Sequence, residues 1–392
     1  MSRASPSTLV TTAAAPTQSD RAAMLYTPVV KSAKAVRKAP TRAEAIIRDA
    51  LRRITRALQQ NPELLCGGFG CMRASGKGVA TKVFVDKDAA WKENKINGVL
   101  KRKLGIELLE RFTMLTVASV KKTRGGICRT PSAKHQQLLV DMVKKKHGEK
   151  SFVDDRSNLC TLKYKLANSD VSKLLKVCWG CGAENVKTLL CSMVLAINDE
   201  FFAVMHENGM YHMDIKTENL VMLLTDVPQM RVIDFGLMVD VDVDDVERNF
   251  PLHGTSSVMS PVVLYINSRD RHPEWGLDDV ESDRFEIRLG RVLERYWKAS
   301  YGSVIDLWGD KIAYIAMVRD VVRRLDRVRY DRAGARYLLK KHDDYGVALT
   351  CIEICGGDVP ARLRARLRSL LEYVLPADVR VATVAPVWRA TL

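Results

Sequence analysis

A polar segment, HMDIKTEN at residues 212–219, lies between a long apolar helix and two short apolar strands, and this arrangement constrains the fold more than any other feature of the chain. Apolar side chains recur at helical spacing over residues 184–208, and Gly209 ends the run. The two apolar runs that follow the polar segment are Leu220–Leu224 and Met230–Ile233. We therefore predict a long buried helix and then a polar loop flanked by short strands.

The composition is that of an intracellular globular protein. At 392 residues the chain is long enough for two domains or two lobes, and its hydrophobic content of 47% is ordinary. No run of eighteen or more uncharged apolar residues occurs, so we expect no membrane span. The first twenty residues lack the apolar stretch of a secretion signal. The nine cysteines are scattered and fit a reducing compartment, so we expect a location in the cytoplasm, the nucleus or both.

The net charge of +16 favours contact with acidic partners, and two interpretations compete. Basic residues are spread over several runs, among them residues 144–146, 319–332 and 362–368, and aromatic side chains are not interleaved with them beyond Tyr330. We therefore prefer a generally basic surface to a dedicated nucleic-acid site, and we expect that nucleic acid is not required. The basic N-terminal tail is compatible with a nuclear-import patch, although a solvated tail is the simpler interpretation.

The order of predicted elements is strands first and helices second. Residues 1–44 are small, polar and basic, and we predict a disordered tail. Residues 45–166 form a small sheet-rich lobe with a basic, turn-rich insertion at 121–150, and residues 167–392 form a larger helical lobe. The other predicted elements are helices at Arg42–Gln60, Asp88–Leu104, Ile305–Leu325 and Ala361–Val374, and strands within Cys66–Val85, Phe112–Val120 and Leu159–Leu166.

The spacing between Asp214 and Asn219 in the polar segment, and between Asp214 and the later Asp234, is a specific signal. Asp214 and Asn219 lie five residues apart, and Asp234, in an Asp-Phe-Gly triplet, follows Asp214 by twenty. This spacing resembles the catalytic loop and the metal-binding triplet of protein kinases. The resemblance implies that Asp214 accepts or orients the proton of a substrate hydroxyl and that Lys216 contacts the transferring phosphate. It also implies that Asn219 and Asp234 hold magnesium.

A glycine-rich segment in the sheet-rich lobe resembles the loop that approaches ATP in the same family. Its members are Leu65, Gly67, Gly68, Phe69 and Gly70, with Leu65 in place of the first glycine. Twelve residues after Gly67 begins a Val-Ala-Thr-Lys run, which resembles the strand that carries the phosphate-binding lysine. The resemblance assigns Ala80 and Lys82 to nucleotide binding, with Lys82 reaching the α- and β-phosphates.

In this family a carboxylate from the next helix holds that lysine. We choose Glu93 for this role, with Glu107 and Glu110 as alternatives, although the spacing from Lys82 to Glu93 is shorter than usual for the family. The competing interpretation of Glu93 is an exposed helix charge.

Weaker landmarks extend the resemblance further along the chain. Leu162–Leu166 resembles the segment that joins the two lobes. The Gly254-Thr255 and Ser260-Pro261 pairs resemble landmarks of the activation segment. The acidic run at residues 240–245 indicates either a preference for basic substrates or a solvated loop.

Toward the C-terminus, Asp306 resembles the residue that begins the buried central helix of the family, with Asp279 as the competing match. Residues 370–380 resemble the closing motif of the kinase domain. The cysteine pair Cys178 and Cys181 lacks a second pair at the spacing of a structural zinc site, so we expect no metal there.

Three positions depart from the family pattern. Met213 stands where the family has an arginine that binds an activation-segment phosphate, which argues against control by such phosphorylation. Val262 stands in place of a glutamate and leaves Arg380 without its expected partner, with Glu274 as a candidate substitute. Together with Leu65, these departures indicate a divergent enzyme. The combination resembles kinases of large DNA viruses, herpesviruses among them.

Taken together, the resemblance implies an α+β, two-lobed protein-kinase-like fold, with a small β-rich N-lobe and a larger helical C-lobe. It implies transfer of phosphate from ATP, with Mg²⁺, to serine or threonine hydroxyls of protein substrates, because Lys216 and Glu218 match the loop of serine/threonine kinases. The alternative is a pseudokinase or scaffold that binds partners without catalysis, motivated by the three departures. A third hypothesis is phosphorylation of a small molecule, against which the Gly254-Thr255 pair argues. Neither a membrane partner nor an oligomeric state is indicated.

Overall fold

The computed structural model of this chain describes residues 40–60, 65–66, 70–74, 78–84, 87–115, 160–178, 184–244, 254–271, 280, 282, 284–326 and 332–374. The described part of the chain is mostly helical and contains a few small sheets. The predictions made for residues 1–39, 67–69, 116–159, Cys181, Asp245, Glu274, Asp279 and 375–392 concern residues outside this part.

A four-stranded antiparallel sheet carries Lys82. Its strands, in spatial as well as chain order, are β1 (Leu65–Cys66), β2 (Gly70–Ala74), β3 (Val79–Phe84) and β4 (Cys160–Lys165). Lys82 on β3 lies opposite Met72 on one side and Leu162 on the other. The prediction that Leu162–Leu166 connects two lobes is therefore corrected, because four of its five residues are strand and the chain leaves the sheet only at Leu166.

Helix α1 (Arg42–Gln60) begins with a capping box and packs against helical elements. The Thr41 hydroxyl accepts the backbone N–H of Glu44 at 3.2 Å, and the Glu44 carboxylate accepts the backbone N–H of Thr41 at 2.7 Å. The apolar face of α1 lies against α4 (Val171–Cys178) and α5 (Glu184–Glu207). The apolar periodicity predicted the bounds of α1. The predicted boundary at residue 166 groups α1 with the sheet-rich lobe, whereas in the structure α1 packs against α4 and α5, which follow that residue.

Helix α2 (Lys87–Leu104) packs on β3 and β4, and a second short helix, α3 (Ile106–Phe112), follows it. The prediction of a strand over Phe112–Val120 is wrong where the structure describes it. Leu108, Leu109 and Phe112 are buried on one face of α3, and only Thr113 forms an isolated bridge, with Val232. A short apolar run fits a buried helix turn as well as a strand, and the helix is the observed outcome.

Helix α5 is the long buried helix that the apolar periodicity predicts. A π turn at Asn198–Phe202 interrupts it and buries both Phe201 and Phe202. By length and composition α5 is the helix in the described chain that is apolar enough to cross a membrane, and half of its most apolar window is buried against the rest of the protein, as in a core helix. It ends at Gly209, whose φ of 69° is the left-handed conformation that favours glycine.

Two small sheets are formed by strands that follow α5, together with one strand that precedes it. Strand β5 (Ser169–Asp170) pairs with β7 (Leu220–Leu223), which pairs with β8 (Gln229–Val232), and β6 (Met210–Tyr211) pairs with β9 (Val239–Asp240). All of these pairings are antiparallel. The predicted strands at Leu220–Leu224 and Met230–Ile233 thus form β7, which ends one residue earlier than predicted, and β8, which is shifted by one residue toward the N-terminus.

The C-terminal part of the described chain is helical. Its helices are α6 (Pro261–Arg271), α7 (Phe285–Trp297), α8 (Ala299–Trp308), α9 (Lys311–Asp326), α10 (Arg332–Cys355) and α11 (Ala361–Leu371). Helix α10 is buried almost all round and packs against α5 and α11. It is the buried central helix, so the assignment of that role to Asp306, which is exposed near the end of α8, is wrong.

The predicted helix at Ile305–Leu325 is also two helices rather than one. Gly309, with φ of 90°, ends α8 and donates its N–H to the carbonyl of Ile305 at 2.8 Å. The Asp310 carboxylate then caps α9 by accepting the N–H of Ile312 at 2.8 Å. A left-handed glycine followed by a capping aspartate stops one helix and starts the next.

Candidate active site

Lys82 lies between two carboxylates. Its Nζ atom is 2.7 Å from Glu93 Oε2, on α2, and 3.2 Å from Asp234 Oδ1. The Lys82 and Glu93 side chains are 12% and 7% exposed, whereas that of Asp234 is 40% exposed. Of the three glutamates considered for Lys82, Glu93 is thus the one in contact, and it is not an exposed helix charge. Asp234 is therefore the member of this group that is most exposed to solvent.

Burial works against charge on both members of the Lys82–Glu93 pair. It lowers the pKa of Lys82, but attraction from Glu93 and Asp234 outweighs it, and the lysine pKa is raised. Burial also raises the pKa of Glu93, against the opposing effect of Lys82. The Tyr164 hydroxyl, on β4, donates a short hydrogen bond to Glu93 Oε1. We assign the ion-pair form, since both oxygens of Glu93 have a donor.

Asp214 is held by three donors at the start of the polar loop. The Asn219 amide nitrogen donates to the Asp214 carbonyl at 2.8 Å and to its Oδ2 at 2.9 Å. Lys216 Nζ lies 2.8 Å from the same Oδ2. The Thr255 hydroxyl donates to Asp214 Oδ1 at 2.6 Å and accepts from Lys216 Nζ at 2.7 Å.

This set of donors controls the charge of Asp214. Burial by itself raises the pKa of Asp214, but the hydrogen bond and charge of Lys216, with the Thr255 hydroxyl, lower it below its usual range. Asp214 is therefore ionised at neutral pH, with an acceptor oxygen beside a lysine. Because Thr255 bridges Lys216 and Asp214, the segment at residues 254–255 contributes directly to this group.

Two antiparallel ladders bring the polar loop and Asp234 together. Leu220 on β7 faces Val232 on β8, and Tyr211 on β6 faces Val239 on β9. The polar loop therefore runs from the β6–β9 ladder to the β7–β8 ladder. The segment that carries Asp234 runs back from β8 to β9.

Cross-links between the two segments fix their separation. The Ile233 N–H donates to the Asn219 carbonyl at 2.9 Å. His212 Nδ1 accepts the N–H of Asp214 at 3.3 Å, so its Nε2 is the protonated nitrogen, and this atom lies 3.2 Å from the Ile233 carbonyl. Asp214, Asn219 and Asp234 thus lie on adjacent backbone segments that bond to each other on both sides of the site.

Backbone strain concentrates at the same place. Met213 and Asp234 have φ of 66° and 62°, in the left-handed region that non-glycine residues rarely adopt. A Cβ atom on Gly254 would lie 2.8 Å from the Met213 carbonyl, so glycine is required for the segment before Thr255 to approach the loop. One strained residue, Met213, directly precedes Asp214, and the other, Asp234, is itself a predicted metal ligand.

Helix α10 supports the strained loop through hydrogen bonds to its backbone. Asp343 accepts the N–H of His212 on Oδ2 and the N–H of Met213 on Oδ1, each at 2.8 Å. His206 Nε2 lies 2.9 Å from the same Oδ2. Burial raises the pKa of Asp343, but the hydrogen bond from His206 and the nearby His212 and His342 lower it below its usual range. The central helix thus presents a buried carboxylate to two loop amides.

Three more residues of α10 contact the loop. His342 Nε2 lies 3.2 Å from the Met213 carbonyl, and the Thr350 hydroxyl donates to the Ile215 carbonyl at 3.2 Å. Gly346 lies against the same residue, where an added Cβ would be 3.0 Å from Ile215 Cβ. Helix α10 thus contacts the N–H groups of His212 and Met213 and the carbonyl groups of Met213 and Ile215.

The structure brings together Lys82, Glu93, Asp214, Lys216, Asn219 and Asp234 as two adjoining groups. Ala80 is 2% exposed and lies opposite Tyr164 in the sheet, two residues before Lys82 on the same strand. Leu65 and Gly70 lie in β1 and β2, and Gly67, Gly68 and Phe69 are outside the described residues. Sequence reasoning missed the contacts of Tyr164, Thr255 and Asp343. The available signal for Asp343 was two adjacent acids just before the mainly apolar run at residues 345–352.

The oxygen donors at the site suit a hard cation. Within the described ranges, no cluster of three or more His, Cys, Asp and Glu side chains has metal-binding geometry. The candidate ligands are instead the half-exposed Asp234 carboxylate and the Asn219 amide, whose nitrogen is used by Asp214 and whose remaining ligand atom is oxygen. Mg²⁺ is commonly held by one or two such groups together with substrate phosphates and water, so these residues fit it.

Comparisons with known proteins find likeness to solved structures and no match by sequence. No protein-family model matches the chain, and no curated protein matches it. Among solved structures, the chain is similar to the ROP18 kinase domain in complex with AMP-PNP and sucrose, with 14% sequence identity and a TM-score of 0.35, over 79% of this chain and 96% of that chain.

Proposed function

We propose that this chain is a protein kinase with a two-lobed fold that transfers the terminal phosphate of ATP to serine or threonine hydroxyls. The observation that carries the proposal is the placement of Lys82 between Glu93 and Asp234, at 2.7 Å and 3.2 Å, beside a loop in which Lys216 and Thr255 bridge to Asp214. Phosphoryl transfer requires a cation for the phosphates, a carboxylate at the attacking hydroxyl and oxygen ligands for metal, and these are the groups present.

Each residue has a role that its surroundings support. Glu93 orients Lys82, whose ammonium group binds the nucleotide phosphates, and Tyr164 orients Glu93. Asp214 is ionised and accepts or orients the proton of the acceptor hydroxyl, with Lys216 beside it to contact the phosphate in transfer. Asn219 and Asp234 would hold Mg²⁺, which neutralises charge on the phosphates when bound.

The preference for serine and threonine rests on Lys216 and Glu218, which match the loop of serine/threonine kinases, and Lys216 is held in place by Thr255. Its hydroxyl closes a triangle with Lys216 and Asp214, so the segment that follows the acidic run is bonded into the site.

The test is a phosphoryl-transfer assay on the purified chain with γ-labelled ATP, Mg²⁺ and peptides that offer serine, threonine or tyrosine. We expect label on serine or threonine, and losses of about a hundredfold or more in kcat for Asp214→Asn and Lys82→Met. Lys92→Met is the matched control, because Lys92 is exposed on α2. Equal transfer by the parent, Asp214→Asn and Lys82→Met would overturn the assigned roles.

Two other outcomes distinguish the remaining hypotheses. Binding of ATP by the parent without transfer to any acceptor would favour the scaffold alternative. Transfer to small alcohols but not to peptides would favour a small-molecule kinase.

A further inference from the structure

A second ion cluster, outside the site, joins α2, which carries Glu93, to the segment that follows Asp234 and to the ends of two other helices. At its centre is Lys103, in the last turn of α2, whose Nζ lies 2.6 Å from Asp240 Oδ1 and 2.8 Å from Asp242 Oδ2. The same atom donates to the carbonyl of Asn208, at the end of α5, at 3.1 Å. Arg332, at the start of α10, donates to the other oxygen of Asp242. We call Lys103, Asp240, Asp242 and Arg332 the Lys103 cluster.

The Lys103 cluster is more than a surface ion pair. The side chains of Lys103 and Asp240 are 23% and 6% exposed, so their contact is partly withdrawn from water, and exposed pairs contribute much less than buried ones. Asp240 also organises the turn that follows it, since its N–H donates to Asp244 Oδ2 at 2.8 Å and its Oδ1 accepts the N–H of Asp242 at 3.1 Å. These contacts make the turn at 240–244 a defined structure.

The cluster also settles how three of the acids in the run are used. Two interpretations of that run were a preference for basic substrates and a solvated loop. Asp240 and Asp242 are paired with cations of the protein itself, Asp244 caps the turn, and Asp242 and Asp244 are also exposed to solvent. The two cations and two carboxylates of the cluster balance in charge.

Helix α2 is attached at two points to one segment. Near its start, Glu93 meets Lys82 and lies close to Gly236, where an added Cβ would be 3.9 Å from Glu93 Oε2. Ten residues later, about 15 Å along the helix, Lys103 meets Asp240 and Asp242. The helix therefore runs alongside residues 234–242. Contacts at both ends resist tilting and sliding of the helix, which a single contact at Glu93 would permit.

We propose that Lys103 is a positioning residue, which holds α2 against residues 234–242 so that Glu93 stays paired with Lys82 without any added charge on that segment. The inference rests on the proposed function. It also explains how a chain with Met213 in the polar loop keeps the helix and the segment aligned, because the aligning cation comes from α2 and the aligning anions are aspartates.

The test compares Lys103→Met with Lys103→Arg and with Arg102→Met, an exposed neighbour in the same helical turn. We expect Lys103→Met to lower kcat/KM by about tenfold to a hundredfold, since a misplacement of about 1 Å in a site costs up to about a hundredfold. Lys103→Arg keeps a donor cation and should restore most of the activity, and Arg102→Met should match the parent. KM for ATP should rise as well, since Lys82 binds the phosphates.

A second variant and a structural measurement cover the case in which Lys103→Met fails to fold. Asp242 is 43% exposed on its side chain, so Asp242→Asn should fold and show a partial loss. Amide hydrogen exchange should accelerate together in residues 87–104 and 239–244 of the variants. Activity and exchange that match Arg102→Met in both Lys103→Met and Asp242→Asn would overturn the inference.

These results are separable from the proposed function. If the parent transfers no phosphate, the proposed function fails, and the exchange measurement alone decides whether Lys103 fixes α2. If the parent is active and the exchange is unchanged in every variant, the proposed function stands and the positioning role fails.

Discussion

The carboxylate of Asp343 accepts the backbone N–H of His212 at 2.8 Å, from the middle of a buried helix. The neighbouring acid, Asp344, faces away from the loop and pairs with Lys340 and Lys341. Adjacent residues of one helix thus have separate tasks, and only Asp343 supports the segment that leads to Asp214. This difference provides a matched pair of variants.

We expect Asp343→Asn to lower both stability and turnover. The amide cannot accept on both of its atoms, so one buried loop N–H loses its partner, and an unsatisfied buried donor costs about 1–3 kcal/mol. Asp344→Asn should also destabilise the chain, because Lys341 is buried beside it, but should retain kcat per folded molecule. Urea unfolding and turnover normalised to folded protein check this. Equal kcat in the two variants would contradict the assignment.

His342 should make stability depend on pH. Burial lowers its pKa in the folded chain below the value of about 6.5 expected for the unfolded chain, although Asp343 and Asp214 oppose the shift. Below that pH the unfolded chain binds the extra proton, so the free energy of unfolding falls as the pH decreases, by at most about 1.4 kcal/mol per pH unit. His342→Gln should show a shallower fall between pH 7 and pH 5 in urea titrations. Parallel curves for parent and variant would rule out this contribution.

Two glycine substitutions in helices should have opposite signs. An added methyl on Gly346 would lie 3.0 Å from Ile215 Cβ and 3.1 Å from the Ile215 carbonyl, so Gly346→Ala should destabilise the chain by about 1–3 kcal/mol and disturb the loop. Gly302, in α8, has no atom within 4 Å of an added Cβ, so Gly302→Ala should stabilise by up to about 1 kcal/mol. Thermal midpoints give both signs, and a destabilisation by Gly302→Ala would count against this description of α8.

Tyr164→Phe should weaken nucleotide binding more than it weakens the fold. It removes the hydroxyl that donates to Glu93 Oε1, and hydrogen bonds to charged groups contribute about 1.5–3 kcal/mol. Because Glu93 remains paired with Lys82 through Oε2, the loss should fall on the orientation of the lysine. Titration with ATP should show a higher Kd for the variant. An unchanged Kd would mean that Tyr164 has no part in orienting Glu93.

Local patterns predicted the elements near the site because these elements depend on short-range signals. The polar loop, its flanking strands and the glycine at the end of α5 each have a sequence signature that acts within a few residues. The choice of Glu93 for Lys82 required only that one helix follow one strand.

Positions that depend on distant contacts were harder to predict. A local motif predicted that Asp306 begins the central helix, but Asp306 is exposed near the end of α8. Asp343 is buried because α5 and the polar loop pack around it. In sequence, two adjacent acids look like a solvated face. The bounds of α1 followed from its periodicity, but the surface it covers is decided by tertiary packing, which no local pattern records.

The two ladders around the site have a consequence for comparing this chain with others. The interval of twenty residues between Asp214 and Asp234 first marked the site, yet the turn at Thr225–Val227 within it is exposed and lies outside the β7–β8 pairing. A longer turn there would leave Leu220 facing Val232. Register, rather than residue count, is therefore the quantity that must be preserved, and a relative with a different interval can hold the same two carboxylates in the same place.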